Sequence, residues 1–581
     1  VMVQPRVCHH GIIKSIDISE AEEMPGVAKV ILAKDILEAG GTNVMPEGQF
    51  HERSKVTAPA RKILCDTKIF RWGDPVALIV ADTKEHARAA VPKVKVEVEK
   101  LPEYLTYLDA VMPDAIRVHE ETPNIFAEQP VLKGVGLEDA SKVGDIIENS
   151  AHWVEGSFHS TREPHLSIEG DTVQAYFDED GMLTFQCKSQ GCYSSLGRIG
   201  NSLGVPKENM RVIMNPTGAS FGWSTHAGDL CLAGAAAIVM QAPCALSMTY
   251  EEHQHFSGKR CPSYSNGRLG CDKDGHITAG EFDIGLDHGA YSWGGDDVMT
   301  KAPRFTFFPY YVPHVAGLTR VANTNHTFGT AYRSYGSPQA YTCGEALVDM
   351  LAEEAGIDPF EFRWINIARP GQTNINSYPF RQYPMEEMMK LLKPHYDRAV
   401  AEAKAADTPE VRRGVGLAWG GFNVTEGPTD SASAALELLP DGKIAKYDTY
   451  QELGQGGDIG SLMLTLEALK PLGVKPEDIR LVQNDTKLCP DSGMSGASRT
   501  HFMSGNATII AANKLMDAMR KPDGSWRTYD EMVAEGLPTK YFGKYSCTAV
   551  EGLCRPDPNT GIGDPSPAYT YCLNMAEVGV E

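Results

Sequence analysis

The chain has 581 residues, 42% of them hydrophobic and 22% charged, an ordinary soluble composition long enough for several domains, since one core seldom grows past about 250–300 residues. Lys+Arg of 54 against Asp+Glu of 76 leaves a formal net charge of −22, which disfavours a nucleic-acid backbone or an anionic membrane surface as partner. No run of about 18 apolar residues occurs, so no transmembrane helix is expected.

The first residues, 1–6 (VMVQPR), resemble neither a signal peptide nor an initiation site and read as a strand already under way. Residues 571–581 (YCLNMAEVGVE) likewise stop inside a strand-like alternation, so a chain incomplete at both ends is expected. In between, 27–32, 76–81 and 94–98 have strand composition. Residues 83–90 form a helix with its start signal at Asp82. Together 1–110 make one α+β unit. The Pro-containing stretch 111–150 reads as a wrapping linker. From 151 to 405 strands and helices mix: a strand at 183–188, a helix at 193–203 capped by Gly204, a small-residue helix at 229–240 suited to close packing, and an amphipathic helix at 344–355 stopped by Gly356. Residues 395–413 read as a surface helix and crossover. A second α+β unit follows from about Gly414, with a strand, Gly-rich turn and helix pattern like the preceding one, and the boundary is placed at 406–581.

The 13 cysteines contain no CxxC or CxxH pair, Cys187 and Cys192 being the nearest to a cluster. Buried thiols, a reducing compartment and no iron–sulfur cluster within this stretch are expected.

Four segments place small residues where a strand meets a helix: 216–223 (PTGASFGW), 329–339 (GTAYRSYGSPQ), 451–458 (QELGQGGD) and 492–499 (SGMSGASR). Missing Cβ atoms let backbone N–H groups crowd an anion or a flat heterocycle, and a following helix adds its positive end. Gln455 and Arg333 add planar donors suited to a pterin edge, a phosphate or an oxo group. Each loop alone is a weak signal, since such turns are more often structural. None fits a Walker loop or a dinucleotide-binding glycine motif. Four together call for a ligand larger than a mononucleotide.

The run 331–339 (AYRSYGSPQ) is similar to the Ala-Phe-Arg-Gly-Phe/Tyr-Gly-x-Pro-Gln signature of the xanthine oxidase family of molybdenum hydroxylases. GASFGW stands where that family has Gly-Gly-x-Phe-Gly, and LGQGGD (453–458) and SGASR (495–499) match its later cofactor loops in order and spacing. Lesser stretches agree, among them MPGVAKVI (24–31), LDHGAYS (286–292) and DMLAEEAGIDPFEFR (349–363). The likeness covers nearly the whole chain and is nearest to bacterial aldehyde oxidoreductases. It implies an α+β multi-domain fold: an N-terminal α/β hammerhead-type domain (1–110), the linker, and two elongated mixed α+β molybdopterin-binding domains (151–405 and 406–581, the second incomplete).

It also implies a molybdenum-pyranopterin cofactor in its cytosine dinucleotide form, whose metal takes no protein side-chain ligand. Gly218, Ala219, Ser220, Phe221 and Gly222 would form one wall; Tyr332, Arg333 and Ser334 a second, with Arg333 and Tyr335 near the metal. Leu453, Gly454, Gln455, Gly456, Gly457 and Asp458 would form a third, Gln455 donating to the cofactor. Gly496, Ala497, Ser498 and Arg499 would complete the groove. The implied chemistry is oxidative hydroxylation of an aldehyde to a carboxylic acid, with water as oxygen source and electrons leaving through [2Fe–2S] clusters on segments absent from this chain. An electron-acceptor protein, a homodimer and a cytoplasmic location follow by the same analogy, and neither nucleic acid nor membrane is expected as partner.

Two departures matter. The family's catalytic glutamate lies in a Gly-Val-Gly-Glu loop that does not occur here, so the base is expected beyond Glu581. After Phe221-Gly222 comes Trp223-Ser224-Thr225-His226, where purine-oxidising relatives carry Lys-Glu after a further glycine. The missing carboxylate favours aldehydes, while Thr225 and Trp293 could reshape the approach to the metal. An enzyme of purines or other N-heterocycles and a non-catalytic cofactor-binding subunit stand as alternatives. Of the histidines, His226 and His165 are more simply structural donors, and adjacent His9 and His10 point to opposite strand faces. Met385, Met388 and Met389 are expected in a core.

Overall fold

The computed structural model describes residues 1–45, 61–134, 140–425 and 427–581. The N-terminal unit holds two three-stranded sheets, one of Met2–Val3, Ala77–Ala81 and Val27–Ile31 and one of Lys68–Ile69, Gly11–Asp17 and Lys95–Lys100. The helix Lys84–Ala90 begins at Thr83, whose side chain accepts from the His86 N–H, and not at Asp82, which instead pairs with the His86 ring at 2.6 Å. A hydroxyl on an extended residue reaches the N3 amide, the geometry of an N-cap. His9 and His10 precede the strand in a bend, and His10 is buried with its ring on the Pro102 carbonyl at 2.6 Å.

Residues 111–150 are more than a linker. Within them Ile125–Lys133 is the edge strand of a five-stranded sheet and Ser141–Glu148 is a helix on its face, while 135–139 lie outside the described residues. The proline at 130 is tolerated because an edge strand needs donors on one side only. The sheet runs His152–Ser160, Ser263–Cys271, Ile277–Gly289, His314–Asn323, Ile125–Lys133. Against it pack the helices Gly295–Phe305, Ser337–Glu354, Pro359–Asn366 and Met385–Ala406, sharing one apolar core. The last of these extends ten residues before 395, and buries Met385 and Met389.

Two four-stranded sheets have one and the same topology. In the first, Thr172–Phe177 and Leu183–Cys187 form a hairpin; the helix Cys192–Leu203 crosses to Met210–Met214, parallel to the second strand; the helix Gly228–Met240 returns to Cys244–Ser247, antiparallel to the first. In the second, Ser431–Leu438, Ile444–Asp448, helix Gly457–Ala468, Ile479–Gln483, helix Thr500–Met519 and Lys540–Ser546 repeat that order with the same pairing. The parallel strands of the two sheets meet end to end, through Met214 N–H to Asn484 O (2.9 Å) and Thr486 N–H to Val212 O (3.1 Å). Crossover loops of both repeats therefore open at one junction, as ligand-binding loops do beyond the carboxyl ends of parallel strands.

The small-residue helix packs as closely as its composition suggests: a Cβ on Gly234 would stand 2.6 Å from Leu203 Cδ1 and 3.0 Å from Phe185. Its core is continuous with Ile31, Ile36, Ile63, Leu64 and Leu78 of the N-terminal unit, so apolar burial welds that unit to the first repeat. A long antiparallel ribbon, Arg412–Val424 with Ala568–Val580, joins the second repeat to the five-stranded sheet. Among the described residues no helix is long and apolar enough to cross a membrane.

Candidate functional site

The four Gly-rich loops come together. Loop 216–223 leaves the strand Met210–Met214 through Ala219, Phe221 and Gly222, all at positive φ (107°, 57° and 117°). Two of these are not glycine, a conformation that costs of order 1–3 kcal/mol and survives where surroundings enforce it. The enforcement is visible: Arg333 N–H donates to Phe221 O at 2.8 Å, and a Cβ on Gly222 would lie 2.3 Å from Ala331 O. Loop 329–336 is thus locked to loop 216–223. His165 ties loop 329–336 to the segment at Gly258, its ring nitrogens 2.8 Å from Ala331 O and 3.1 Å from Gly258 O, edge-on to Tyr332. Burial lowers its pKa to about 3, so the ring is neutral.

The other two loops join through Ser495 and Ser492. Gln451 N–H donates to Ser495 Oγ (3.1 Å), Ser495 Oγ to Gln451 O (3.2 Å), and Thr449 and Ser492 exchange hydrogen bonds of 3.0 and 2.9 Å. The residue linking the two pairs is Gln190. Its Nε2 donates to Ser495 O (2.5 Å), its carbonyl accepts from Ser495 N–H (2.8 Å), and its Oε1 accepts from Ser220 Oγ (2.5 Å). Sequence reasoning missed Gln190. It occupies, in the first repeat, the crossover loop that Gln451–Gly456 occupy in the second, and recognising the repeat would have found it.

Placement of the expected side chains is mixed. Arg333 and Ser334 are exposed, and the Arg333 guanidinium has no hydrogen bond or ion pair among the described residues. Phe221 is 41% exposed in a strained loop, its ring tilted against Tyr332 at 6.4 Å. Tyr335 hydroxyl donates to Gly294 O. Gly218 N–H donates to Glu169.

Three expectations are revised. Gln455 is not aimed outward: its Oε1 accepts from Leu453 N–H (2.7 Å) and its Nε2 donates to Gln451 O (2.9 Å). The amide donors of Gly454, Gly456 and Asp458 are occupied by the Glu452 carboxylate at 2.7, 3.2 and 3.1 Å. Burial pushes the Glu452 pKa up, but those backbone donors more than offset it and hold it below the usual range. A short acid two residues upstream fills its own loop's nest more cheaply than water does. Arg499 is not available either; it is buried, paired with Asp430 at 2.8–3.0 Å, with further bonds to the carbonyls of Ser492, Met494 and Ser431. Ala497, at φ 48°, and Gly496 instead present backbone, and Ala497 O accepts from Thr425 N–H at 2.9 Å.

Beneath loop 216–223, Thr225 Oγ1 closes the turn on Gly222 O (2.7 Å), and His226 stacks on Trp223 at 4.7 Å with Nε2 2.8 Å from Arg61. Trp293 packs against His226 edge-on, 5.8 Å away, and takes no part in an open approach. Trp223 Nε1 donates to buried Asp171 (2.8 Å), which pairs with Lys188 (3.1 Å). Burial raises the Asp171 pKa, but His253, Lys188 and Trp223 outweigh it and hold it low, so the floor of the loop is an ion pair inside protein.

The donor set suits an extended anionic ligand of several rings. Among the described residues it offers a guanidinium without a partner, an exposed aromatic beside it, backbone from loops of both repeats, and buried Thr330 Oγ1, Ser224 Oγ and Gln451 Oε1 without hydrogen-bond partners. Among the described residues no group of three or more His, Cys, Asp or Glu could hold a bare metal ion.

A hammerhead unit followed by two domains whose loops meet at such a crevice defines the architecture of a molybdopterin-binding chain. Residues 7–102 match the hammerhead domain of aldehyde oxidase and xanthine dehydrogenase, and residues 118–367 and 390–581 match two molybdopterin cofactor-binding domains. The aldehyde oxidoreductase of Megalodesulfovibrio gigas is 38% identical over 587 residues, spanning 100% of this chain and 62% of that protein. The solved aldehyde oxidoreductases of Desulfovibrio gigas and Desulfovibrio desulfuricans superpose with TM-scores of 0.96 and 0.94 at 38% and 37% identity, again over 100% of this chain and 62% and 63% of theirs. A probable xanthine dehydrogenase subunit of Bacillus subtilis is 26% identical over 89% of this chain and 66% of that protein. The chain belongs to the xanthine oxidase family and carries its molybdopterin-binding domains. It spans a little under two thirds of the length of the aldehyde oxidoreductases it matches.

Proposed function

We propose that this chain is the molybdenum-cofactor portion of an aldehyde oxidoreductase, in which an aldehyde and water become a carboxylic acid with release of two electrons and two protons. When bound, the cofactor would supply the two-electron acceptor and the activated oxygen. The protein's own residues orient and enclose. Arg333, whose guanidinium has no partner among the described residues, would bind the cofactor's anionic edge, with Tyr335 beside the metal. Phe221 and Gly222 would form the wall facing it, and Ala219, Ser220, Gly496, Ala497 and Ser498 would lay backbone along its length. Leu453 to Asp458 would close the far side, Gln455 being freed from its own loop only if ligand replaces that contact. The pterin in its cytosine dinucleotide form, electron transfer through [2Fe–2S] clusters on other segments to an acceptor protein, a homodimer and a cytoplasmic setting belong to the same reading.

The observation that carries it is the convergence of loops from both repeats and from the five-stranded sheet, locked by Gln190, Ser495 and the Arg333 amide. Aldehydes are favoured over purines because the stretch after Gly222 turns into the protein as buried Trp223, Ser224 and Thr225, and places no carboxylate there to grip a purine ring. The purified full-length protein is expected to contain about one molybdenum and one pterin per chain. It should turn over benzaldehyde, and xanthine poorly or not at all. Metal and pterin at background would remove the reading, and efficient xanthine turnover would move it to purine oxidation.

A further inference from the structure

Loop 216–223 is braced at both ends from one short segment, 169–171. At one end Glu169 N–H donates to Gly218 O at 3.4 Å, and the Glu169 carboxylate accepts the Gly218 N–H. At the other, Asp171 Oδ2 accepts from Trp223 Nε1 at 2.8 Å. Lys188 ties the two braces together, its Nζ donating to Glu169 O at 2.9 Å and standing 3.1 Å from Asp171 Oδ1. Both charged residues are fixed to the sheet of the first repeat. Asp171 immediately precedes the strand Thr172–Phe177, its carbonyl accepting from Met248 N–H at 3.0 Å, and Lys188 immediately follows Leu183–Cys187. The other titratable groups around Asp171 are His253, 3.5 Å away, and Asp229, whose pKa is raised by burial and by the Asp171 charge.

Between the braces the backbone is strained and its donors are idle. Ala219, Phe221 and Gly222 take positive φ, and the N–H groups of Ala219, Ser220, Phe221 and Gly222 have no acceptor among the described residues. Released from its anchors, such a loop would relax to ordinary φ and lose the present direction of those four donors. Packing alone does not account for the anchor. The Trp223 ring is 1% exposed in an apolar core and would be buried there without any polar contact. A buried ion pair is a poor stabiliser, since apolar residues of similar volume often serve as well. What the carboxylate adds is direction: one acceptor on a rigid strand fixes the rotation of the indole, and with it the backbone that leads into the ring.

We propose that Asp171 is a positioning residue, which through the Trp223 N–H holds the amides of Ala219 to Gly222 in the orientation they present to the cofactor, while Lys188 keeps the carboxylate in place. This rests on the oxidoreductase reading above. Three variants of the full-length, molybdenum-loaded protein separate the hydrogen bond from the charge. Trp223→Phe deletes the donor and keeps a ring. Asp171→Leu with Lys188→Met deletes the acceptor and the charge of both partners together. Asp171→Asn with Lys188→Met removes the same charges and keeps an oxygen for the indole. With benzaldehyde, kcat is expected to fall about tenfold or more in the first two, with KM within about twofold, and to stay within about threefold of wild type in the third, the scale of one misdirected hydrogen bond. The electron paramagnetic resonance signal of half-reduced molybdenum should shift in the first two and not in the third. In the protein as purified, amide exchange in peptides spanning 216–225 should quicken in the first two and match wild type in the third. Wild-type kcat and resonance in Trp223→Phe, or an Asn variant as impaired as the Leu variant, would overturn the assignment and leave a merely structural ion pair. A lower melting temperature with kcat, resonance and exchange all unmoved would do the same. If the wild type holds no molybdenum or oxidises no aldehyde, the oxidoreductase reading fails; loop exchange unchanged in Trp223→Phe would then refute the positioning role by itself. Should the paired variants not fold, Trp223→Phe decides by the same three readouts.

Discussion

At the scale of single residues, two arginines in neighbouring loops show how little a motif says about a side chain's use. Arg333 and Arg499 both lie in runs that match family signatures, yet one is exposed with no partner for its guanidinium among the described residues and the other is buried on Asp430. Replacing Arg499 by Met would break its buried ion pair with Asp430, and removing one partner of such a pair typically costs about 3–5 kcal/mol; urea unfolding should show it. Arg333→Met should leave the unfolding free energy from urea titration within about 0.5 kcal/mol, as surface changes do, while molybdenum and pterin content of the purified protein fall. Normal cofactor content in Arg333→Met would take that residue out of the site. The conformational strain at Ala219 and Phe221 belongs here too, since no composition rule points to left-handed backbone at a phenylalanine.

At the scale of elements, the helices that present the loops are set by close approaches rather than by helix propensity. A Cβ on Gly344 in Ser337–Glu354 would sit 1.5 Å from Thr306 O, so that glycine lets this helix lie on the end of Gly295–Phe305. The two helices together place Tyr335. Alanine, otherwise the better helix former by about 1 kcal/mol, should here destabilise, by roughly 1–3 kcal/mol as overpacking does. Thermal unfolding reads the sign directly; a stabilised Gly344→Ala would mean the contact relaxes at no cost. Element type was legible wherever periodicity and a terminator agreed, as at Gly204 and Gly356, which take φ values of 69° and 67°. It failed in 111–150, where prolines and short apolar runs hid an edge strand, and at Asp82, where two good caps stood side by side and only geometry selected Thr83.

At the scale of the whole molecule, several histidines are buried neutral. Burial lowers His119, His288 and His326 to about 4, and His165 to about 3. Their folded pKa values lie below the unfolded value of about 6.5, so below that pH the unfolded chain takes up protons that the native state refuses. The stability they contribute is fully present above pH 6.5 and is lost as pH falls toward 4, each group adding a slope of about 1.4 kcal/mol per unit at most. The urea midpoint should therefore drop steadily between pH 7 and 5, before carboxylates titrate; a flat profile in that window would contradict the burial of these rings.

Local chemistry along the chain already specified which segments are glycine-rich turns, that they precede helices, and, through their order and spacing, the family they belong to. Those are short-range properties, set by φ freedom, capping and apolar period. What needed the folded chain was which donors remain free. Glu452, Gln455 and Arg499 are spent on neighbours, the Arg333 guanidinium on none of the described residues, and Gln190, with no motif around it, joins the loop of Ser220 to Ser495, itself 305 residues from Ser495. Hydrogen-bond capacity is settled by whatever arrives in space, and the arrival here depends on two repeats meeting strand to strand, a contact that no local pattern encodes.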